Sequence, residues 1–426
     1  MATITCTIGT RSDESISITG TSGSNPYTVS LSSATTTTSN GDSLVDDSSN
    51  VFLVTDGAGT DSLTVLDSTG VGSAPSSGGS EVTKRYYSTI ATWESSLDDT
   101  DLYGSGDVSI GHMMADSDFT ANSDEIENGK TVGLGGIHLT APPDQRHDGT
   151  ANTGVRIIST SAKAAVDWKG KYSFGGDTPG GRVSWIEADA NGYNHYGYVQ
   201  CTGNHSDPAV FDHLLIHSGG GSVRGLLRSS AAHAIVCHNC IVYDHPLNNN
   251  KTVGGIDLHG YTSRDYEVYN CTIYNITQAG SGTAHSISNI KDDSQHIVKN
   301  TIGVTATHDC FDDYLASPSN AVLSNNIASD PSCDGHTDSH ENVAAADLFM
   351  SITPGDEDFQ LKAGAVAIDA GLDLSLEVYP QIAISIFDGA DETERSGDWD
   401  IGAHQRVAEV TTALPAAMNT YQQMVR

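Results

Sequence analysis

His233-Ala-Ile-Val-Cys-His-Asn-Cys-Ile-Val-Tyr243 is followed, some thirty residues on, by Tyr266-Glu-Val-Tyr-Asn-Cys-Thr-Ile-Tyr-Asn-Ile276. Each is a short apolar alternation around a small polar centre. The same layout stands in Ala209-Val-Phe-Asp-His-Leu-Leu-Ile-His217, in His296-Ile-Val-Lys-Asn-Thr-Ile-Gly-Val304 and in Asn320-Ala-Val-Leu-Ser-Asn-Asn-Ile-Ala328. Aligning Asp212, Asn239, Asn270, Asn300 and Asn325 gives spacings of 27, 31, 30 and 25 residues. A second series lies between them: Gly225-Leu-Leu, Gly255-Ile-Asp-Leu, Ser286-Ile-Ser and Cys310-Phe-Asp. Gly225 to Gly255 is 30 residues and Ile256 to Ile287 is 31.

Two interleaved strand series at one period describe a coil with several short strands per turn. Strands this short cannot bury a face alone. Stacking each coil on the last buries a continuous core and pairs the backbone groups of neighbouring coils. The fold class expected is therefore all-β, a right-handed parallel β-helix running from about Lys130 to Ala403. Matching positions stack into ladders. Cys240, Cys271 and Thr301 form an inward ladder, with Val242, Ile273 and Gly303 beside it. Asn239, Asn270 and Asn300 form a polar ladder at a turn, where side-chain amides bond to one another and to backbone. This reading takes Cys237-His-Asn-Cys240 as strand packing rather than a zinc or redox element, because no second CxxC accompanies it.

The rest of the 426 residues divides around that solenoid. Residues 1–84 read as a small β-rich module, with strand-like runs at Ser15–Ile18, Tyr27–Leu31, Val51–Thr55 and Ser62–Leu66. Within 85–129, Ser88-Thr-Ile-Ala-Thr-Trp-Glu-Ser-Ser-Leu97 reads as a helix with Ser88 as N-cap and Ile90, Trp93 and Leu97 on one face. A solenoid end exposes its core, and this helix is expected to cap it. The solenoid is assigned 130–405 and a peripheral tail 406–426. Asp56-Gly-Ala-Gly-Thr-Asp61 approaches a calcium-binding nonapeptide, but such sites need tandem copies and a plain turn is expected.

The formal net charge is −34. So acidic a surface repels nucleic acid and anionic membranes, which need a Lys/Arg footprint, and favours solubility. No apolar run is long enough to cross a bilayer, and the first residues lack the basic and apolar regions of a signal peptide. Seven scattered cysteines, an odd number, are expected to be reduced, buried thiols.

Near the C-terminus stand Asp358-Phe-Gln-Leu-Lys-Ala-Gly-Ala-Val-Ala-Ile-Asp-Ala-Gly371 and Asp398-Trp-Asp-Ile-Gly-Ala-His404. With Phe387-Asp-Gly-Ala390 between them, this pair resembles the closing segment of many right-handed parallel β-helix proteins, whose usual form is D-F-x-L-x-x-G-S-P-A-I-D-A-G, then D-x-D-G-x-x-R and D-I-G-A-x-E. The chain departs from it at Ala365-Val366, at Ala390-Asp391 and at His404-Gln405. The opening is similar to bacteriophage and prophage proteins that begin with a T-I-G-T turn followed directly by Y-S-T-I-x-x-W-E. Here Thr7-Ile-Gly-Thr10 and Tyr87-Ser-Thr-Ile-Ala-Thr-Trp-Glu94 match, with more than seventy residues between them. Residues 11–82 are thus expected to be an insertion, and Ile4–Ile8 to belong to the solenoid's first edge. The resemblance implies a virion structural protein, a capsid decoration or a tail fibre or spike. It also implies virion proteins and a host-surface glycan as partners, a homotrimer as for many phage spikes, and a virion-surface location after cytoplasmic synthesis.

Parallel β-helices also act on polysaccharides with paired surface carboxylates. The candidate acids are Asp257 with His259 and Asp265, Asp292 with Asp293, and Asp309 with Asp312 and Asp313. They do not recur at one rung beside an Arg or Lys, as a lyase requires, so catalysis is the lesser expectation, as a lyase or glycosidase if present. A third reading is a non-catalytic glycan-binding adhesin, with Tyr243, Tyr269 and Tyr274 as candidates for an outward aromatic row; packing at the turns is the plainer reading of the same three side chains. His213, His217, His233, His238, His245 and His259 cluster in the middle coils. They are read as solvated or ladder residues, with His213 and His238 one coil apart. No metal and no cofactor is expected.

Overall fold

The computed structural model describes residues 2–79, 81–116, 118–122, 124–169, 181–193, 197–202, 209–220, 225–229, 235–247, 252–258, 266–288, 296–312, 321–375, 384–385, 393–394 and 398–405. The tail 406–426 lies outside them, as do His233, His259, Asp265, Asp292, Asp293 and Asp313. The architecture is a parallel β-helix built from three sheets. Sheet I has nine strands, in spatial order from Thr3–Ile8 and Val108–Met113 through Ala209–Asp212 and Ile235–His238 to Ala321–Ser324. Sheet II has eight, from Phe119–Thr120 to Ile327–Ala328, and sheet III six, from Asp124–Ile126 to Thr283–Ser288. Every pairing in these sheets is parallel, and the chain visits I, II and III in turn within each coil.

The apolar alternations of the sequence are not single strands. Each is a strand of sheet I, a two-residue corner and a strand of sheet II. The first corner residue is left-handed in six coils: Trp185 (φ 58°), His213 (φ 50°), Asn239 (φ 55°), Asn270 (φ 49°), Asn300 (φ 52°) and Asn325 (φ 52°). Asn accepts this conformation more readily than other L-residues because its short polar side chain bonds locally. Asn300 Nδ2 donates to Asn270 Oδ1 at 3.1 Å. Asp212 does not share this ladder: it pairs with His238, and His213 occupies the corner. In sheet III, Leu227, Ile256 and Ile287 are in register and Phe311 bridges to Ile287, whereas Gly225 faces Gly254 rather than Gly255.

Inside the corner, Val242, Ile273 and Gly303 are in register, and Cys240, Cys271 and Thr301 precede them as a fully buried column. All seven cysteines are buried thiols, and none is joined in a disulfide. Burial pushes the Cys240 thiol well above its usual range.

The boundaries differ from the sequence reading at both ends. The coils begin at Val108 rather than near Lys130, and the strand Thr3–Ile8 forms the first edge beside Val108–Met113. The last parallel rung ends near Ala328, with bridges from Ser324 to Thr337 and from Ile327 to His340. Beyond residue 343 the described residues add no further parallel rung. Phe349–Thr353 and Asp356–Leu361 form an antiparallel hairpin. Its Phe349 and Phe359 pack against Tyr274, and Phe359 also against Tyr243, on the outside of sheet II.

Residues 14–84 form a seven-stranded antiparallel sheet with its own core around Val29, Leu44, Phe52 and Val65. Asp56–Asp61 is the turn between two of its strands. The helix Ile90–Ser95 has Thr89, not Ser88, as N-cap, because Thr89 Oγ1 reaches the Thr92 N–H at 3.1 Å. Its Ile90 and Trp93, with Leu97 beyond it, join the solenoid core. No helix of the described residues is long and apolar enough to cross a membrane.

Candidate functional site: a buried polar column on sheet I

Among the described residues, the candidate acids Asp257, Asp309 and Asp312 do not form a groove. Asp257 points outward from sheet III in a column with Gln200, Arg228 and Ser288. It is nevertheless fully buried and bonded to Arg228 Nε and Ser288 Oγ, both at 3.3 Å. Arg228 sits one rung before it, the cationic neighbour that the sequence reading did not find; the spacing of 29 residues, one period, is the signal that could have found it. Asp312 lies one rung past Ser288, since its N–H donates to Ile287 and Phe311 bridges the same residue. Two rungs thus separate it from Asp257, about 10 Å at the usual strand spacing. Asp309 contributes its backbone carbonyl, which accepts from His285 Nδ1 at 2.7 Å.

The outward aromatic row is covered as well. Tyr243 is stacked on His217 and packed by Phe359, and Tyr274 by Phe349 and Phe359. Tyr269 joins Val210, Val236, Leu374 and Trp399 in a separate apolar cluster on sheet I.

The densest polar chemistry lies along the outer face of sheet I. Thr7, His112, Thr140, Ser184, Asp212, His238 and Tyr269 occupy one register position on successive strands. Arg182 reaches from the next column. Its Nε and Nη2 donate to the two oxygens of Asp212, each at 2.5 Å. His213 Nδ1 donates to Asp212 Oδ2 at 2.8 Å. Burial pushes the Asp212 pKa up, but the Arg182 charge and these hydrogen bonds more than offset it, so the carboxylate stays ionised well below the usual range. Trp185 is stacked on His213 at 4.0 Å, Arg146 lies over the Trp185 ring at 4.5 Å, and His147 Nε2 donates to the His213 carbonyl at 2.7 Å. His138 Nε2 and Thr140 Oγ1 meet Ser184 Oγ at 2.7 and 2.8 Å.

His238 is the exception in this network. It is fully buried; burial takes its pKa down to about 3 against the pull of Asp212. Its Nδ1 lies 3.3 Å from the Asn239 amide Nδ2, and its Nε2 has no partner among the described residues. Asp212, His213 and His238 offer donor atoms that all lie within 4.8 Å of one another. His213 and His238, read from sequence as solvated or ladder residues, are both buried here, and Asp212 joins them. Asp212, though next to His213 in sequence, was read as a member of the Asn ladder, and only the register places it opposite His238; Arg182 was missed because it lies about one period before that pair.

At the N-terminal end of this face the antiparallel module docks. Asp42, fully buried, binds Arg11 Nη2 at 2.8 Å, Arg85 Nη1 at 3.1 Å and Thr7 Oγ1 at 2.5 Å. Arg85 also holds Asp116 with two bonds of 2.7 Å. Between module and solenoid a cleft of about 460 Å³ is lined by Thr3, Thr5, Asn40, Thr55, His112 and Met114 among others.

The fold and this site define a parallel β-helix protein with an inserted antiparallel module and a self-covered polar face. In comparisons with known proteins, no family model, curated protein or solved structure matches the chain.

Proposed function

We propose that this chain is a bacteriophage virion protein, a capsid decoration or part of a tail fibre or spike, whose β-helix is presented on the particle surface and whose inserted module attaches it. The observation that carries the attachment half is how the module is joined. The Gly9 N–H donates to Tyr87 at 2.9 Å and the Tyr87 N–H to Thr7 at 3.0 Å, with Ile8 bridging to Tyr87. The chain therefore leaves the solenoid edge and returns to the same point, so the module can be lost without displacing a coil. The T-I-G-T and Y-S-T-I-x-x-W-E halves of the phage-like opening are the two segments that meet there. A non-enzymatic role is favoured because Asp257 is buried and paired with Arg228, which leaves it no access to a polymer.

Deleting residues 11–82 tests this. The shortened chain is expected to fold and to be missing from purified particles. Normal incorporation of the shortened chain would sink the attachment role.

The cleft favours a second reading, a non-catalytic binder of host glycan. Its polar lining is mainly hydroxyls, with an amide, the Asp144 carboxylate and a histidine held neutral, its pKa taken to about 4 by burial and Arg146. Among the described residues no Lys or Arg lines it. That suits a neutral, hydroxyl-rich ligand. Binding on a glycan array that survives Thr5→Trp, which fills the cleft, would place recognition elsewhere.

A further inference from the structure

We propose that Asp212, His213 and His238 form a binding site for one divalent transition-metal ion, of the Zn²⁺ or Co²⁺ class, that ties neighbouring coils of the β-helix together. This rests on the outer-face cluster and not on the virion reading. One carboxylate and two imidazoles are the donor set that such ions take. Their donor atoms already lie within 4.8 Å of one another, close enough for one ion to bridge after small side-chain rotations. His238 supplies the second, independent observation. Among the described residues its buried Nε2 has no hydrogen-bond partner, which is costly for a polar atom unless something else meets it.

The surroundings fit an ion as well. A carboxylate has about four lone-pair sites. Asp212 spends three here, two on Arg182 and one on His213. Oδ1 therefore has a site to spare, and Arg182 holds the carboxylate in place from its far side. His238 and His213 each have an outer partner that fixes the ring. The Asn239 amide stands at His238 Nδ1 and, turned to present its Oδ1, would accept from Nδ1–H and leave the Nε2 lone pair to the ion, while Trp185 is stacked on His213 and His147 holds the His213 carbonyl. Such outer contacts orient metal-binding histidines. Asp212 and His238 are neighbours on adjacent strands and His213 is the corner residue of the first. An ion there joins two coils across their stacking direction, and Arg182 extends the link to a third. With no solvent access to the three residues, the role is structural rather than catalytic.

The test uses the full chain, stripped with a chelator and titrated with Co²⁺, whose visible absorption reports imidazole coordination, and then with Zn²⁺ in competition. The wild type is expected to bind one equivalent of Co²⁺ in a Zn²⁺-displaceable site and to melt at a higher temperature with Zn²⁺ than without. His238→Gln should weaken that equivalent at least tenfold. His213→Asn should do the same and should fold, because Asn fills this corner in the four following coils; far-UV circular dichroism checks it. The proposal is overturned if the stripped wild type takes up no Co²⁺ with imidazole absorption, or if a folded His213→Asn chain binds as the wild type does.

Discussion

Asn300 carries two tasks at once. Its backbone is left-handed at φ 52°, and its side chain ties three segments: Nδ2 donates to Asn270 Oδ1 and to the Leu372 carbonyl at 2.7 Å, while Oδ1 accepts the Leu372 N–H at 2.8 Å. A left-handed L-residue costs about 1–2 kcal/mol and each lost hydrogen bond about 1 kcal/mol. Asn300→Ala should therefore destabilise by roughly 3 kcal/mol or more in denaturant unfolding. Asn300→Gly should recover the backbone part alone; equal losses in the two would show that the conformation carries no weight. The ladder was legible in sequence because three successive corners use the same residue. Asp212 was aligned wrongly for a physical reason: the corner selects a backbone conformation, which His213 and Trp185 also adopt, and chemical likeness to Asn is a poor guide to it.

His245 is a second informative residue. It lies in register with Ile276, facing the interior, and among the described residues neither ring nitrogen has a partner. Burial takes its pKa down to about 3. Above about pH 6.5, the ordinary histidine value, it is neutral in both folded and unfolded chains and adds nothing to the pH dependence. Below that the unfolded chain binds the proton first, so stability is lost progressively as pH falls from about 6.5 toward 3. The loss is on the order of 1.4 kcal/mol for each pH unit crossed in that interval. Melting temperature measured across the range from about pH 7.5 to about pH 4.5 should begin to fall near pH 6.5, and His245→Leu should flatten that slope. An unchanged slope would place the acid sensitivity on other histidines.

At the scale of elements, the C-terminal hairpin is a cover rather than a coil. The motif Asp358-Phe-Gln-Leu marked the end of the solenoid but not its geometry, because a short apolar alternation reads alike in a parallel coil and in an antiparallel hairpin. What separates them is the partner. Phe359 meets Tyr243 and Tyr274 from outside the sheet, so the tyrosines that looked free in sequence are spent. Phe359→Ala should cost about 3–5 kcal/mol at this contact. Hydrogen exchange should then rise in Phe349–Thr353 and Asp356–Leu361 while the amides of sheet I stay protected. The inserted module is the opposite case, a unit with its own core tied on by charge. Asp42→Ala takes from Arg11 its carboxylate and leaves Arg85 with Asp116 alone, a loss of about 3–5 kcal/mol for a buried pair. Limited proteolysis should then cut between module and solenoid before either core is digested; simultaneous digestion would mean the two fold as one unit.

Across the whole molecule, the repeat made the β-helix legible because its ladders recur at one period over the middle coils. The first coils were not, since their corners lack Asn and their strands are as short as Phe119–Thr120. The polar column on sheet I was hidden for the same reason. It runs across successive strands whose members, from Thr7 to Tyr269, share no residue type. The result is a stacked rod with its outer faces partly covered by its own two ends and a charge of −34 that keeps such rods apart. That construction suits a component displayed on a particle. The most direct test is to purify the particles of its source and locate this chain by mass spectrometry and immunogold labelling. The account predicts the chain in intact particles, with label on their surface at head or tail. A chain absent from particles and found only free in the medium would contradict it.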